Sequence, residues 1–176
     1  HATHRLLRLW PDSANCVTDA SRSPGKWTAL HMIADATNKN LCSDSDVAGV
    51  ARLLVEAMDG FMIGQQNSTG NTAFHLAAAR GEIGLTFLQQ VLPMMEAKLL
   101  EENVTTIHEI LQLHNDKGKG CMDNAIYNTP IRLEFKRYGA TCLVPKAEDW
   151  NTRRKPTWDQ LRENKRRSDQ EGREYS

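Results

Sequence analysis

Apolar residues recur at helical spacing in several stretches of this chain, and polar segments rich in Gly, Asn, Ser and Asp separate those stretches. Between Asp46 and Gly60 the apolar residues share one side of a helix, which predicts an amphipathic helix capped by Asp46 and ended by Asp59-Gly60. A second apolar series, from Ile83 to Leu92, predicts another such helix. The pattern therefore predicts a mainly helical chain.

One short stretch, from Gly70 to Gly81, combines a polar turn, an alanine-rich helix over residues 72–80 and a glycine stop. A diverged copy over residues 27–34 lies 44 residues upstream. Thr28 can cap the helix in this copy, because a Thr side chain accepts the free N–H groups of a first turn. A repeated helical unit cannot bury its apolar face alone, so the two copies predict layers that stack on one another.

The stretch from Gly70 to Gly81 resembles the ankyrin repeat, whose signature is Thr-Pro-Leu-His-x-Ala followed by a glycine and a second helix. The residues that match this signature are Thr72, Phe74, His75, Ala77 and Gly81, and Ala73 replaces the proline. The resemblance implies an all-α fold, a short ankyrin-type helical solenoid with a C-terminal extended arm. It also implies non-enzymatic protein–protein interaction, as a scaffold or as a subunit of a larger assembly.

The resemblance divides the chain into three regions. Residues 1–24 are expected to hold a partial preceding repeat and a loop, residues 25–145 a repeat domain, and residues 146–176 a charged, Trp-containing arm. Two clear units are expected near 25–60 and 67–92, a degenerate unit near 115–140, and insertions at 37–45 and 93–114. Because residue 1 is His rather than Met, we expect a processed or partial chain that begins within an array.

Two alignments compete for the third unit. Thr105 to His108 lies 33 residues after Thr72, which is the period of the family, but the following residues lack the small side chains that let inner helices approach. The alternative starts at Asn115 and is favoured, because it has the composition of the turn and because Ala125 falls where Ala77 does. It departs from the signature at Gly120 and Asp123, where Thr and His are expected.

Pro93 interrupts the apolar series that follows Gly81. A proline cannot donate the backbone hydrogen bond that a helix interior requires, so Pro93 predicts either a kinked helix or a new helix over residues 93–102. A further helical stretch is expected over residues 105–114, and an outer helix over 131–140 that closes on Gly139 and Ala140.

The arm, residues 146–176, cannot form its own core, since it holds nine Lys or Arg and seven Asp or Glu and few aliphatic residues. Trp150 and Trp158 favour an arm that becomes ordered where these rings dock on a protein. Two alternatives stay open. One is a solvated charged tail, and the other is an accessory contact with RNA or another nucleic acid through the basic, Trp-containing segment.

Composition limits the other classes of function. The formal net charge is zero, so no overall field attracts nucleic acid or an anionic membrane. The four cysteines are spread singly, which favours reduced thiols and a reducing compartment such as the cytoplasm, or an organelle if a presequence has been removed. No stretch is long and apolar enough to predict a transmembrane segment.

The histidines of the two copies, His31 and His75, are expected to be structural, since no Cys or carboxylate lies near either at the spacing of metal ligands. No nucleophile, base and orienting group occur together. We therefore expect no enzyme activity, no catalytic residue, no cofactor and no metal. Beside the two histidines, the resemblance implies structural roles for Thr28, Thr72, Gly81 and Gly139.

In ankyrin repeats recognition uses the tips of the turns and exposed positions of the inner helices. The resemblance therefore implies a protein-binding surface made of Lys26, Trp27, Asn67, Ser68, Thr69, Asn71, Asp116, Lys117 and Lys119, to which Trp150 and Trp158 of the arm are added. Trp27 is the best anchor, because a large rigid ring contributes contact area at little entropic cost. Burial of Trp27 against a preceding unit is an equal alternative.

Overall fold

A computed structural model of the chain describes residues 11–19, 25–35, 44–125 and 128–141, together with 162, 163 and 166. All regular elements within these residues are helical, which confirms the predicted all-α class. They are a 3-10 helix, Pro11–Asn15, and the α-helices α1 (Ala29–Ala34), α2 (Asp44–Ala57), α3 (Gly60–Ile63), α4 (Ala73–Ala78), α5 (Glu82–Glu101), α6 (Ile107–Leu111), α7 (Cys121–Asn124) and α8 (Thr129–Arg137). In these ranges no strand forms, and a single β-bridge pairs Val17 with Thr28.

The helices pack in pairs, and the pairs lie side by side. Helix α1 packs against α2, α4 against α5, and α7 against α8. Across the pairs, α1 contacts α4 and α4 contacts α7, while α2 contacts α5 and α5 contacts α8. Helices α1, α4 and α7 thus form one row, and the longer helices α2, α5 and α8 form a second row. The longest helix, α5, lies at the centre and also contacts α3 and α6.

The core runs between the two rows. Leu30 on α1 and Phe74 on α4 each stand two residues after the Thr that precedes the helix, and both are completely buried. Met122, two residues after Gly120, is buried at the corresponding place on α7. Complete burial of an aliphatic or aromatic side chain stabilises a fold by about 2 to 3 kcal/mol, so these positions hold the layers together.

Helix α5 passes through Pro93 without ending or restarting there. Pro93 is exposed, whereas Leu92 and Met95 are completely buried. The carbonyl of Gln89, which Pro93 cannot bond, belongs to the same exposed side of the helix, where water can satisfy it. The predicted alternative of a separate helix over residues 93–102 is therefore wrong.

The expected end of α2 at Asp59-Gly60 is confirmed to within two residues, because α2 ends at Ala57 and α3 begins at Gly60. The expected cap at Asp46 is wrong, because α2 already begins at Asp44. Asp59 caps α3, since its Oδ1 atom accepts the N–H of Phe61 at 2.9 Å. The N–H of Gly60 donates to Oε2 of Glu102 at 2.8 Å, so the end of α5 fixes the start of α3.

Several predicted regions lie wholly or largely outside the described residues. They are residues 1–10 of the partial preceding repeat, most of the insertion at 37–45, and the arm except for 162, 163 and 166. Within the described part of the chain, no helix has the length and apolar character that crossing a bilayer requires.

Candidate interaction surface

Before α4, the chain makes a tight turn at residues 67–71 that Asn67 closes. The N–H of Asn67 donates to the carbonyl of Asn71 at 2.9 Å, and the N–H of Gly70 donates to the carbonyl of Asn67 at 2.9 Å. The side-chain Oδ1 atom of Asn67 accepts the N–H groups of Thr69 and Asn71, at 2.9 and 3.0 Å. A short Asn side chain that bonds its own backbone in this way fixes the turn.

Before α7, the turn at residues 115–119 repeats these hydrogen bonds. The N–H of Asn115 donates to the carbonyl of Lys119 at 3.0 Å, and the N–H of Gly118 donates to the carbonyl of Asn115 at 2.8 Å. Oδ1 of Asn115 accepts the N–H groups of Lys117 and Lys119, both at 3.0 Å. The two turns are therefore equivalent residue by residue, with an offset of 48 residues.

Before α1, the first turn has Thr18 in place of the Asn, and its residues 20–24 lie outside the described part of the chain. The N–H of Thr18 donates to the carbonyl of Trp27 at 2.9 Å, and the N–H of Trp27 donates to Oγ1 of Thr18 at 2.8 Å. Lys26 has a positive φ of 57°, where the other two turns have Gly70 (71°) and Gly118 (68°). A residue with a Cβ is disfavoured in this left-handed conformation, so Lys26 occupies a position that suits glycine.

The three turns are bonded to one another. The N–H of Ser68 donates to the carbonyl of Gly25 at 3.0 Å, and the N–H of Asp116 donates to the carbonyl of Thr69 at 3.2 Å. These two bonds join equivalent positions in successive turns. The turns therefore form a continuous edge whose backbone groups are used internally, which leaves the outward side chains to face solvent.

His31 links the first layer to the second. Its Nδ1 atom accepts the N–H of Thr28 at 3.2 Å and lies 2.8 Å from the Thr28 hydroxyl, so the two residues close a reciprocal cap at the start of α1. Its Nε2 atom lies 2.9 Å from the carbonyl of Asn71. A carbonyl can only accept, so Nε2 carries a proton, and because Nδ1 accepts a backbone N–H the ring is neutral.

His75 makes the same set of contacts one layer further on. Its Nδ1 atom accepts the N–H of Thr72 at 3.2 Å and lies 2.9 Å from the Thr72 hydroxyl, and its Nε2 donates to the carbonyl of Lys119 at 3.0 Å. Each histidine thus bonds the carbonyl that precedes the next capping residue. These positions place His31, His75, Thr28 and Thr72 in the buried interior of the layers.

Burial sets the charge of both imidazoles. Removal from water lowers the pKa of His31 and of His75 from 6.5 to about 4, although the hydrogen bonds to the carbonyls of Asn71 and Lys119 partly oppose the shift. The lowered pKa agrees with a neutral ring that donates from Nε2. These histidines are therefore neutral hydrogen-bonding links at pH 7.

The third layer replaces both capping residues. Gly120 has no side chain to close the cap, and the Asp123 carboxylate accepts the N–H of Gly120 at 2.9 Å. Cys121 is completely buried with its Sγ atom 3.4 Å from Nδ1 of His75, and burial raises the pKa of this thiol to about 12. A thiol that stays protonated in the interior is a poor nucleophile, so this Cys–His contact is a packing contact.

Most of the side chains expected on the binding surface are exposed on the edge of the turns. These are Lys26, Ser68, Thr69, Asp116, Lys117 and Lys119. Asn71 and Trp27 are half-buried, and the Trp27 ring lies 6.1 Å from the His31 ring. Trp150 and Trp158 lie outside the described residues.

The assignment of Asn67 to the exposed surface needs correction. Only 6% of this residue is exposed, and its Oδ1 atom is bonded within the turn. Its role is therefore to shape the turn. The two glycines expected to be structural, Gly81 and Gly139, both have a positive φ, of 63° and 79°.

The sequence prediction missed Met32, whose side chain is 49% exposed on α1. Met32 follows His31 as Leu76 follows His75, and Leu76 is half-buried. The sequence did contain a signal for these residues. Adjacent positions of a helix point in different directions, so an apolar residue directly after a buried histidine is expected to face away from the core. These two side chains provide apolar contact area on the helices that follow the first two turns.

The described residues contain no group of three or more His, Cys, Asp or Glu arranged to hold a metal ion. Comparison with models of protein families, with curated proteins and with solved structures finds no match to this chain.

Proposed function

We propose that this chain is a short ankyrin-type helical solenoid that binds a protein partner and has no enzymatic activity of its own. The equivalent positions in successive layers support the solenoid: the turn residues 26, 70 and 118 and the capping residues 28, 72 and 120 recur at offsets of 44 and 48 residues. This correspondence favours the third unit that starts at Asn115.

The observation that carries the proposed binding role is the continuous edge of turns beside an exposed apolar side chain. The exposed residues Lys26, Thr69 and Lys117 come from three successive layers, and Met32 lies on the helix that follows the first turn. Turns held by their own hydrogen bonds lose less entropy on binding, and a row of such turns can contact an extended surface of a partner. The proposed role is that of a scaffold or of a subunit in a larger assembly.

Site-specific photo-crosslinking in the cell of origin tests this role. A photoreactive residue at position 69 or 117 should capture the same partner, whereas one at Gln90, exposed on α5, should not. The substitution Met32→Glu should lower the yield about tenfold, because it puts a charge in the contact area. Equal capture at all three positions, or an unchanged yield with Met32→Glu, would contradict the proposal.

A further inference from the structure

The guanidinium group of a residue in the C-terminal segment, Arg162, lies over the aromatic ring of Phe61 on α3. The Cζ atom of Arg162 lies 5.2 Å from the centroid of the ring. A guanidinium within about 6 Å of a ring centroid is attracted by the negative face of the aromatic system. Both residues are half-buried, so the contact is partly shielded from water.

One donor of the Arg162 side chain is removed from water. Its Nε atom is buried and has no hydrogen-bond partner among the described residues. Burial of an N–H donor without a partner is unfavourable, so a compensating interaction must hold the side chain in place. Arg is suited to this, because its planar guanidinium is weakly hydrated and stacks on aromatic rings.

The C-terminal segment and the rest of the chain carry opposite formal net charges. Residues 146–176 hold nine Lys or Arg and seven Asp or Glu in a chain of zero formal charge, so the remainder of the chain is negative by the same amount. Two carboxylates bond the backbone at the start of α3: Asp59 accepts the N–H of Phe61, and Glu102, which also pairs with Lys98 at 3.5 Å, accepts that of Gly60. The helix that carries the Phe61 ring therefore begins at two carboxylates that bond its backbone.

We propose that the Phe61 face of α3 is a docking surface for this chain's own C-terminal segment, with Arg162 as the anchoring residue. This inference goes beyond the proposed function, since α3 does not belong to the edge of turns. It also gives the arm an intramolecular role: part of the arm is tethered to the helical body. A partner or a second copy that presents an arginine would have to compete with Arg162 for the ring.

Limited cleavage by a glutamate-specific protease tests the tether, because Glu163 directly follows Arg162 in the sequence. The substitution Phe61→Leu keeps apolar bulk but removes the aromatic face, and it leaves the cleaved sequence unchanged. We expect it to speed cleavage after Glu163 about fivefold, since cleavage follows the population of the released segment. Arg162→Ala should have the same effect, after correction with a short peptide that carries the same substitution.

The double variant of Phe61 and Arg162 should be cleaved no faster than either single variant, and Arg162→Lys should fall between Arg162→Ala and the unaltered chain. Arg166→Ala is the matched control, since Arg166 is exposed in the same segment and should leave the rate unchanged. Rates within twofold of the unaltered chain for both single variants would overturn the proposal. So would an equal acceleration by Arg166→Ala, or protection that grows with protein concentration, which indicates docking on a second copy.

Discussion

At the scale of single residues, the two buried histidines have one role in the fold. Each accepts the N–H of the Thr that caps its own helix and donates to a carbonyl in the next turn. Protonation would place a second proton on the ring, at Nδ1, which is the atom that accepts the N–H of the capping Thr. The neutral ring is therefore required by the geometry as well as favoured by burial.

The stability of the protein should fall as the pH is lowered from about 6.5 towards 4. The pKa of His31 and His75 is about 4 in the folded state, against 6.5 for an unperturbed His, so the unfolded chain binds these protons first. Between pH 7 and pH 4 each histidine should remove on the order of 3 kcal/mol from the free energy of unfolding. Urea unfolding at a series of pH values measures this loss.

A matched variant separates the histidines from the carboxylates, which also titrate in acid. In His75→Gln the side-chain amide can still donate but cannot titrate, so the variant should be less stable at pH 7 and should lose less stability between pH 6.5 and 4.5. An equal pH dependence in the variant and the unaltered chain would show that His75 does not contribute.

The backbone conformation of Lys26 also leads to a prediction about stability. It has a left-handed backbone where the equivalent residues are Gly70 and Gly118. Lys26→Gly should therefore raise the free energy of unfolding by about 0.5 to 1 kcal/mol, because it relieves the Cβ contact. Lys26→Ala is the control and should change little, since alanine keeps the Cβ. A loss of stability in Lys26→Gly would mean that the lysine side chain itself holds the first turn.

At the scale of elements, helices α4 and α5 approach each other closely at Gly84. Gly84 on α5 has no room for a side chain, because a Cβ there would lie 1.9 Å from the carbonyl oxygen of Ala77. Gly49 on α2 has nothing within 4 Å of the same position. The two helical glycines therefore differ in the room that their neighbours leave for a Cβ atom.

We expect Gly84→Ala to destabilise the protein by about 3 kcal/mol or more, since the helices must separate to admit a methyl group. Gly49→Ala should stabilise it by up to about 1 kcal/mol, because alanine is the better helix former and meets no neighbour. Urea midpoints of the two variants test the pair. Similar effects of both substitutions would contradict the close packing of α4 on α5.

The sequence predicted α1 and α4 best, because their signals are local. A capping Thr and a His three residues later define the starts of α1 and α4 without reference to the rest of the chain. Helix α3 could not be predicted in this way. Its first N–H is bonded by Glu102, which lies far along the chain, so Gly60 starts a helix although the local pattern indicated a stop.

The exposed residues of the candidate surface could be predicted only in part, because local composition does not show which side chains turn inward. The polar composition of the turns located their exposed residues, but it could not distinguish Ser68, which faces solvent, from Asn67, which turns inward to bond its own backbone. The sequence also could not show whether the helix continues through Pro93, because the continuity of α5 depends on the burial of Leu92 and Met95 against other helices.

At the scale of the whole molecule, each layer is tied to its neighbours. Besides the histidine bonds, Arg80 forms an ion pair with Asp35, and the side-chain amide of Asn124 donates to the carbonyl of His75 at 3.1 Å. Stability in such an arrangement is close to a sum of layer and interface terms, so few layers give a small total. Leu100 and Leu133 are 79% and 56% exposed, which adds apolar surface in contact with water.

We therefore expect the isolated chain to be marginally stable, with a thermal midpoint no higher than about 65 °C, the upper end of the usual mesophile range. Differential scanning calorimetry of the purified chain measures this midpoint. A cooperative transition well above that temperature would show that the layers alone provide more stability than their small core indicates.

The central claim is that successive layers are linked by equivalent histidine bonds. Side-chain ¹⁵N NMR of His31 and His75 tests it most directly, because nitrogen shifts report the tautomer and the protonation state of each ring. Both histidines should be neutral at pH 7, with a slowly exchanging proton on Nε2 that shows contacts to residues 71–72 for His31 and 119–120 for His75. A charged ring, a proton on Nδ1, or contacts to other parts of the chain would contradict the layered account.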